Sequence, residues 1–382
     1  MGRTYLFETE EHATLRAQIR RFAEAEIAPH AHAWEEAGEF PRELYRKAAD
    51  GGLTGIGYPE DLGGLGGDFT HVLAAAEEMV LAGRSVGTCV GLGSHGIALP
   101  PIARFGTPAQ HERFVRPVLR GERVCALGIT EPGVGSDVAA LRTRAVRDGA
   151  HYVVNGAKMF ITSGCRADFV TTAVRTGGPG HAGVSLLVIE RGTPGFRVSR
   201  KLAKTGWWAS DTAELAFEDC RVPAENLIGD ENAGFAAIML NFVSERLMLA
   251  GQCVAIAELA YREAMAYARA REAFGKPIAG FQVVRHKLAD MAARLAAARA
   301  LTGEVATRYV RGEQDAALAA MAKNTATDMC SFVVDQAVQI HGGYGYMRET
   351  VVERLWRDAR LYPIGGGTRE IMNEIIAKVE GY

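Results

Sequence analysis

From Thr9 to about Leu119, apolar residues recur every three or four positions: Leu15, Ile19 and Phe22, then Leu73, Ala76 and Val80. That spacing puts them on one face of a helix, and Pro41, Pro59 and Pro100 interrupt it, so the first third reads as several helices. From Arg123 the texture changes. Short β-rich runs (VCALGIT, HYVVNG, MFITS, FVTTAV, VSLLVIE, AELAFED) are spaced by Gly, Asp and Pro turns, as in a sandwich or barrel. After Asn232 the helical period returns in three long, Ala-rich stretches, about 233–271, 281–310 and 314–339. Helices this long bury their apolar stripes only against each other, which predicts a four-helix bundle counting the C-terminal segment. The expected fold is mainly α with a central β domain: 1–120 helical, 121–230 β and 231–382 the bundle.

The 382 residues suit two or three domains. The 43 Lys+Arg nearly cancel the 45 Asp+Glu, for a net charge of -2, and no run of five or more like charges occurs. The positive field that nucleic acid or anionic lipid requires is missing, so partners are expected to be small molecules or proteins. The start, MGRTYLFETEEH, carries acids and no apolar core, unlike a secretory signal. The longest uncharged stretch, Ser85 to Ala103, is broken by Gly, His95 and Pro100-Pro101, so no segment of the chain is expected to cross a membrane. Six scattered cysteines without C-x-x-C predict reduced thiols, a cytoplasmic location and no metal site.

Several attractive patterns fail their context. The glycine clusters 63–67 and 342–345 do not sit between a strand and a helix of a βαβ unit, so a Rossmann fingerprint is not expected. No histidine has a Glu three residues before it, which removes a di-iron bundle. Leu92 stands where a G-x-S-x-G elbow around Ser94 demands Gly. What remains is the segment Leu127-Gly-Ile-Thr-Glu-Pro-Gly-Val-Gly-Ser-Asp137, where glycines admit a ligand to the backbone and Thr130 and Ser136 can bond its polar edge. It is followed by Lys158-Met-Phe-Ile-Thr-Ser163, Ser210-Asp-Thr212, Arg271-Glu-Ala-Phe-Gly-Lys-Pro277 with Gln282, Gln339-Ile-His-Gly-Gly-Tyr-Gly345, and Ile364-Gly-Gly-Gly-Thr-Arg-Glu-Ile371.

In this order and at these distances the set resembles the acyl-CoA dehydrogenase family of flavoproteins, along nearly the whole chain. The resemblance implies the three domains already read from periodicity, a homotetramer built as a dimer of dimers, and FAD between the middle and last domains. It implies flavin contacts at Leu127, Ile129, Thr130 and Ser136, and at Phe160, Ile161 and Thr162, with Phe160 where many relatives carry Trp. A neighbouring subunit would complete the FAD site with Arg271, Phe274, Gln282, Gln339, Gly342 and Gly343. The Arg271 guanidinium suits a pyrophosphate, and Thr368 and Glu370 match further FAD contacts.

The implied reaction is α,β-dehydrogenation of a saturated acyl-CoA, a carboxylate taking the α-proton while the β-hydride passes to the flavin. In most relatives that base is a Glu in I-Y-E-G-T; here the segment reads Ile364-Gly365-Gly366-Gly367-Thr368. The isovaleryl-CoA and long-chain group resembles this chain instead, with the base in a Glu-Arg pair on the first bundle helix, here Glu245-Arg246. Phe242, Glu245 and Leu249 share one helix face, so the carboxylate projects from an apolar stripe. Pairing with a neighbouring base such as Arg246, or capping a contact between helices, is the plain alternative for Glu245. Ser136, Arg246, Gly366 and Gly367 are the expected substrate contacts, with the Gly366 N–H able to donate to the thioester oxygen. The volume freed at Gly366 predicts a branched or longer acyl chain. Electron-transferring flavoprotein is the expected acceptor. A flavin oxidase or monooxygenase, a dehydrogenase of acyl carrier protein thioesters, or a catalytically silent FAD-binding or assembly protein would fit the same scaffold.

Overall fold

The computed structural model describes residues 4–382; Met1 to Arg3, where the first expected domain begins, lie outside the described residues. Seven helices carry most of the helical architecture: α1 (Glu10–Glu26), α2 (Phe69–Gly83), α3 (Gly234–Ala270), α4 (Gln282–Val310), α5 (Ala316–His341), α6 (Val351–Ala359) and α7 (Arg369–Glu380). Shorter helices such as Val86–Leu92 and Pro100–Phe105 fill the first domain. The start of α2 is set by Asp68, whose side chain accepts from the Thr70 N–H, satisfying a donor that the helix leaves free.

The middle of the chain forms eight strands, β1 (Cys125–Gly128), β2 (Arg144–Asp148), β3 (His151–Thr162), β4 (Phe169–Arg175), β5 (Val184–Glu190), β6 (Phe196–Lys201), β7 (Thr212–Pro223) and β8 (Leu227–Ile228). They lie in the order β6-β7-β3-β2-β4-β5-β8, with β1 parallel to β4. The runs HYVVNG and MFITS, expected as two strands, are one strand, β3, bent by irregularities at Val154/Gly156 and Lys158/Ile161. A bulge lets a strand change direction without breaking its ladder. β2 pairs with β3 along its length but meets β4 only at Arg144 and Arg175, so the sheet folds over there. Residues of β3 and β7 (Val154, Leu215, Phe217) then share one core with those of β4 and β5 (Val170, Leu187, Ile189).

In the bundle, α3 packs against α4 and α5, and α7 closes against α5. By length and composition α3 could cross a membrane, a feature that the search for uncharged stretches misses. Here it is the central helix of the bundle, with Val254, Ala257 and Leu259 buried among Met291, Leu295, Val333 and Ala337 of its neighbours. The first domain docks on it closely: a β-carbon on Gly251 would lie 2.1 Å from Leu73 Cδ1, so only glycine allows α2 this near. Beside that contact Glu77 receives Arg16 at 3.0 Å and Arg299 at 3.5 Å, a buried charge cluster tying the first domain to the bundle.

Candidate functional site

The site is assembled where the sheet, α3 and the C-terminal loop meet. Leu127 lies on β1, and Ile129 and Thr130 follow it into a loop carrying the exposed Ser136. This loop is tied to β3: the Met159 N–H donates to Thr130 O at 2.8 Å, and Lys158 Nζ donates to Ile129 O at 2.9 Å and to Glu131 Oε1 at 2.8 Å. Lys158 is fully buried, and burial lowers its pKa to about 8 against the pull of Glu131. The two expected flavin segments are therefore neighbours, held by an ion pair that sequence reading did not single out.

At the β3 irregularity Phe160 has φ +62° and is 67% exposed as a residue. A bulky residue in the left-handed region is strained, and an exposed aromatic beside a rigid loop is unfavourable unless something covers it. This fits a flat cofactor ring lying on the Leu127–Ser136 loop. Thr162 is partly exposed, but Ile161 points into the β core, so only its backbone is open to a ligand.

Glu245 lies on α3 with Oε2 shut off from solvent and without a partner. Among the described residues its carboxylate makes neither an ion pair nor a hydrogen bond, so the plain alternative, pairing with Arg246, is not what is seen. Burial raises its pKa, opposed by the charges of Arg246 and Lys323. Arg246 instead lies over the Phe242 ring at 5.4 Å and directs Nε to Gly366 O at 3.4 Å. Gly366 and Gly367 have φ +66° and +99°, conformations that glycine adopts without strain.

A β-carbon on Gly366 would sit 3.6 Å from Glu245 Oε1 and 2.6 Å from Leu249 Cδ1. Leu249 and Glu245 thus occupy space expected to be free for the acyl group. This corrects the argument that the missing side chain leaves a pocket. Thr368 caps α7, its hydroxyl accepting from the Ile371 N–H at 3.3 Å. The Glu370 pKa is lowered by its own backbone N–H and by the Thr368 hydroxyl.

Of the remaining expected contacts, Arg271, Gly342 and Gly343 line a cleft of about 520 Å³ with Tyr267, Ile340, His341 and Tyr344. Phe274, Gln282 and Gln339 are exposed and lie outside its lining. Arg271 follows the last residue of α3. At 1.5 Å per residue it stands about 39 Å along the helix from Glu245. One chain therefore presents two half-sites too far apart to hold one reacting group together. Sequence reasoning missed Lys323, a buried lysine that closes the apolar run Ala316–Ala322 of α5; a charge directly continuing such a stretch was the available signal.

Comparison with known proteins agrees with this architecture. Residues 9–122, 126–220 and 232–380 match the N-terminal, middle and C-terminal domains of acyl-CoA dehydrogenase, respectively. The chain is 40% identical over 377 residues to the mitochondrial long-chain specific acyl-CoA dehydrogenase of Rattus norvegicus, covering 97% of this chain and 86% of that protein. The crystal structure of acyl-CoA dehydrogenase from Geobacillus kaustophilus superposes with TM-score 0.95 at 40% identity, covering 99% of this chain and 100% of that one. Butyryl-CoA dehydrogenase from Megasphaera elsdenii gives TM-score 0.94 at 34% identity, covering 99% and 100%. The chain belongs to the acyl-CoA dehydrogenase family. It is an FAD-dependent oxidoreductase acting on CH–CH bonds.

Proposed function

We propose that the chain converts a branched or longer saturated acyl-CoA to its trans-2-enoyl-CoA, with Glu245 as the base. The observation that carries this is the Glu245 carboxylate: unpartnered, with Oε2 closed off from solvent and Oε1 set against Gly366, where the glycine loop offers no acid of its own. A buried carboxylate without a partner is costly, and a raised pKa is what a general base needs near neutral pH. When bound, FAD supplies the hydride acceptor. Glu245 takes the α-proton onto its carboxylate, and the Gly366 N–H donates to the thioester oxygen as negative charge gathers there.

The acyl preference rests on the placement of the base and on named relatives: rat long-chain acyl-CoA dehydrogenase at 40% identity and bovine isobutyryl-CoA dehydrogenase at 38%. The separation of Arg271 from Glu245 supports a second subunit completing the FAD site, within a tetramer built from two dimers. Phe274 at 95% exposure and Tyr346 at 80% are large exposed side chains of the kind such contacts cover. In this reading electron-transferring flavoprotein takes the electrons, and the chain works in the cytoplasm with its free cysteines reduced.

Anaerobic titration of the purified yellow protein with straight and branched acyl-CoAs tests the proposal. Flavin absorbance should fall with at least one of the longer or branched substrates. Bleaching by short straight chains alone would overturn the substrate class, and bleaching by none would overturn the activity.

A further inference from the structure

Two cations hold the Gly365–Gly367 loop from behind. Lys323 Nζ donates to Gly365 O at 2.6 Å and also to Gly367 O, while Arg246 Nε reaches Gly366 O. Three consecutive carbonyls are thus held by buried side chains. In a trans peptide the C=O and the following N–H point in opposite directions within one plane. Binding Gly365 O therefore turns the Gly366 N–H away from Lys323, and binding Gly366 O turns the Gly367 N–H away from Arg246. Neither N–H has a protein acceptor among the described residues. The arrangement leaves two oriented donors beside the Glu245 carboxylate, in peptides whose carbonyls a positive charge already polarises.

We propose that Lys323 is a positioning residue for the reaction: by fixing the Gly365 and Gly367 carbonyls it presents the Gly366 N–H to the thioester oxygen as the α-proton leaves. This rests on the function proposed above. Lys323 shares its surroundings with Glu245, Arg246 and Cys253, all on α3. Burial lowers the Lys323 pKa to about 8, and Arg246 adds to the lowering, while Cys253 and Glu245 oppose it. The same ammonium lowers the pKa of Glu245, so its loss should leave a less acidic base.

The test uses the FAD-loaded enzyme and a 3-oxoacyl-CoA, whose enolate forms in the site by proton loss alone and is read by ultraviolet absorbance. Lys323→Met, Lys323→Gln and Lys323→Arg are compared with wild type. Lys323→Met should lower kcat by about 30-fold, a fraction of what removing an oxyanion donor outright costs. It should also raise the pH at which the bound ligand enolises and move the acid limb of kcat/KM upward, with KM changed far less than kcat. Lys323→Arg, which keeps charge and two donors, should recover most of the loss, and Lys323→Gln less.

Unchanged enolisation and an unmoved acid limb in a folded, yellow Lys323→Met protein would overturn the proposal. Loss of FAD and fold in all three variants would assign Lys323 to stability alone and overturn it equally. A wild-type protein that neither enolises the probe nor turns over any acyl-CoA sinks the underlying function instead, which keeps the two failures apart.

Discussion

Glu245 on α3 and Gly366 in the loop before α7 lie side by side: a β-carbon on the glycine would stand 3.6 Å from Oε1 of the acid. Two positions far apart in the chain therefore open on the same small space. A carboxylate carried by either backbone could reach it, so a protein with glycine at one position can keep an acid there by placing it at the other. Here that acid is on α3, with Oε2 unpartnered.

Replacing Glu245 with Gln keeps the shape of the side chain and removes the base. The variant should stay yellow and folded, while its rate of flavin bleaching by acyl-CoA falls about 10²- to 10⁴-fold. Stopped-flow absorbance under anaerobic conditions measures this, and a rate within about threefold of wild type, about 0.6 kcal/mol in barrier, would remove Glu245 from the role.

The pH dependence of the reaction is set by the direction of the Glu245 shift. Burial raises the Glu245 pKa from the usual 4.5, and Arg246 and then Lys323 oppose the rise. A base works only when ionised, so kcat/KM should climb with pH, by about tenfold per unit below a midpoint lying above 4.5. In Glu245→Gln that limb should vanish from the residual activity. A wild-type profile flat down to pH 4.5 would contradict the assignment.

Gly366→Ala tests the tightness of the site. The new methyl group would meet Leu249 Cδ1 at 2.6 Å and would stand on a backbone with φ +66°. Thermal or urea unfolding should show a loss of about 1–3 kcal/mol. Adding Leu249→Ala relieves the clash but not the backbone strain, so in a double-mutant cycle the second change should offset only part of the loss caused by the first. Full recovery would show that the left-handed backbone costs nothing here.

Lys158→Met leaves the buried Glu131 charged with its ammonium partner gone. Removing one member of a buried pair costs about 3–5 kcal/mol. The Leu127–Ser136 loop should loosen with it, since Ile129 O loses the same donor. Urea unfolding gives the first quantity, and FAD release on dilution, followed by fluorescence, reports the second. Wild-type FAD retention would separate the ion pair from the flavin loop.

Asp358 on α6 receives the Trp207 N–H at 2.6 Å. Burial and then the charge of Glu35 raise its pKa from 3.8 to about 7. The folded state therefore binds more protons than the unfolded chain between these values, and its stability should fall as pH rises through that window. Asp358→Asn keeps an acceptor for Trp207 without the charge. Its Tm should drop less than that of wild type between about pH 5 and pH 8. An equal drop in both would show that the acid is not the source.

Periodicity alone locates the long helices within a few residues, because each must bury a stripe that recurs every three or four positions: α3, expected at about 233–271, spans Gly234–Ala270. The β-rich runs are legible for the same reason, but the joining of HYVVNG and MFITS into β3 is not, since Gly156 and Phe160 look like turn and flank until a partner strand holds them in one ladder. The acid at 245 and the glycines at 365–367 are likewise readable as residue types. What the chain order cannot express is proximity. That Lys323 reaches the carbonyls of Gly365 and Gly367, that Leu249 fills the space beside Gly366, and that Lys158 ties two loop segments together are consequences of helices and strands packing from distant parts of the chain. Those contacts depend on distances of a few ångströms, set by how α3, α5 and the sheet approach one another, and no spacing along a sequence encodes them.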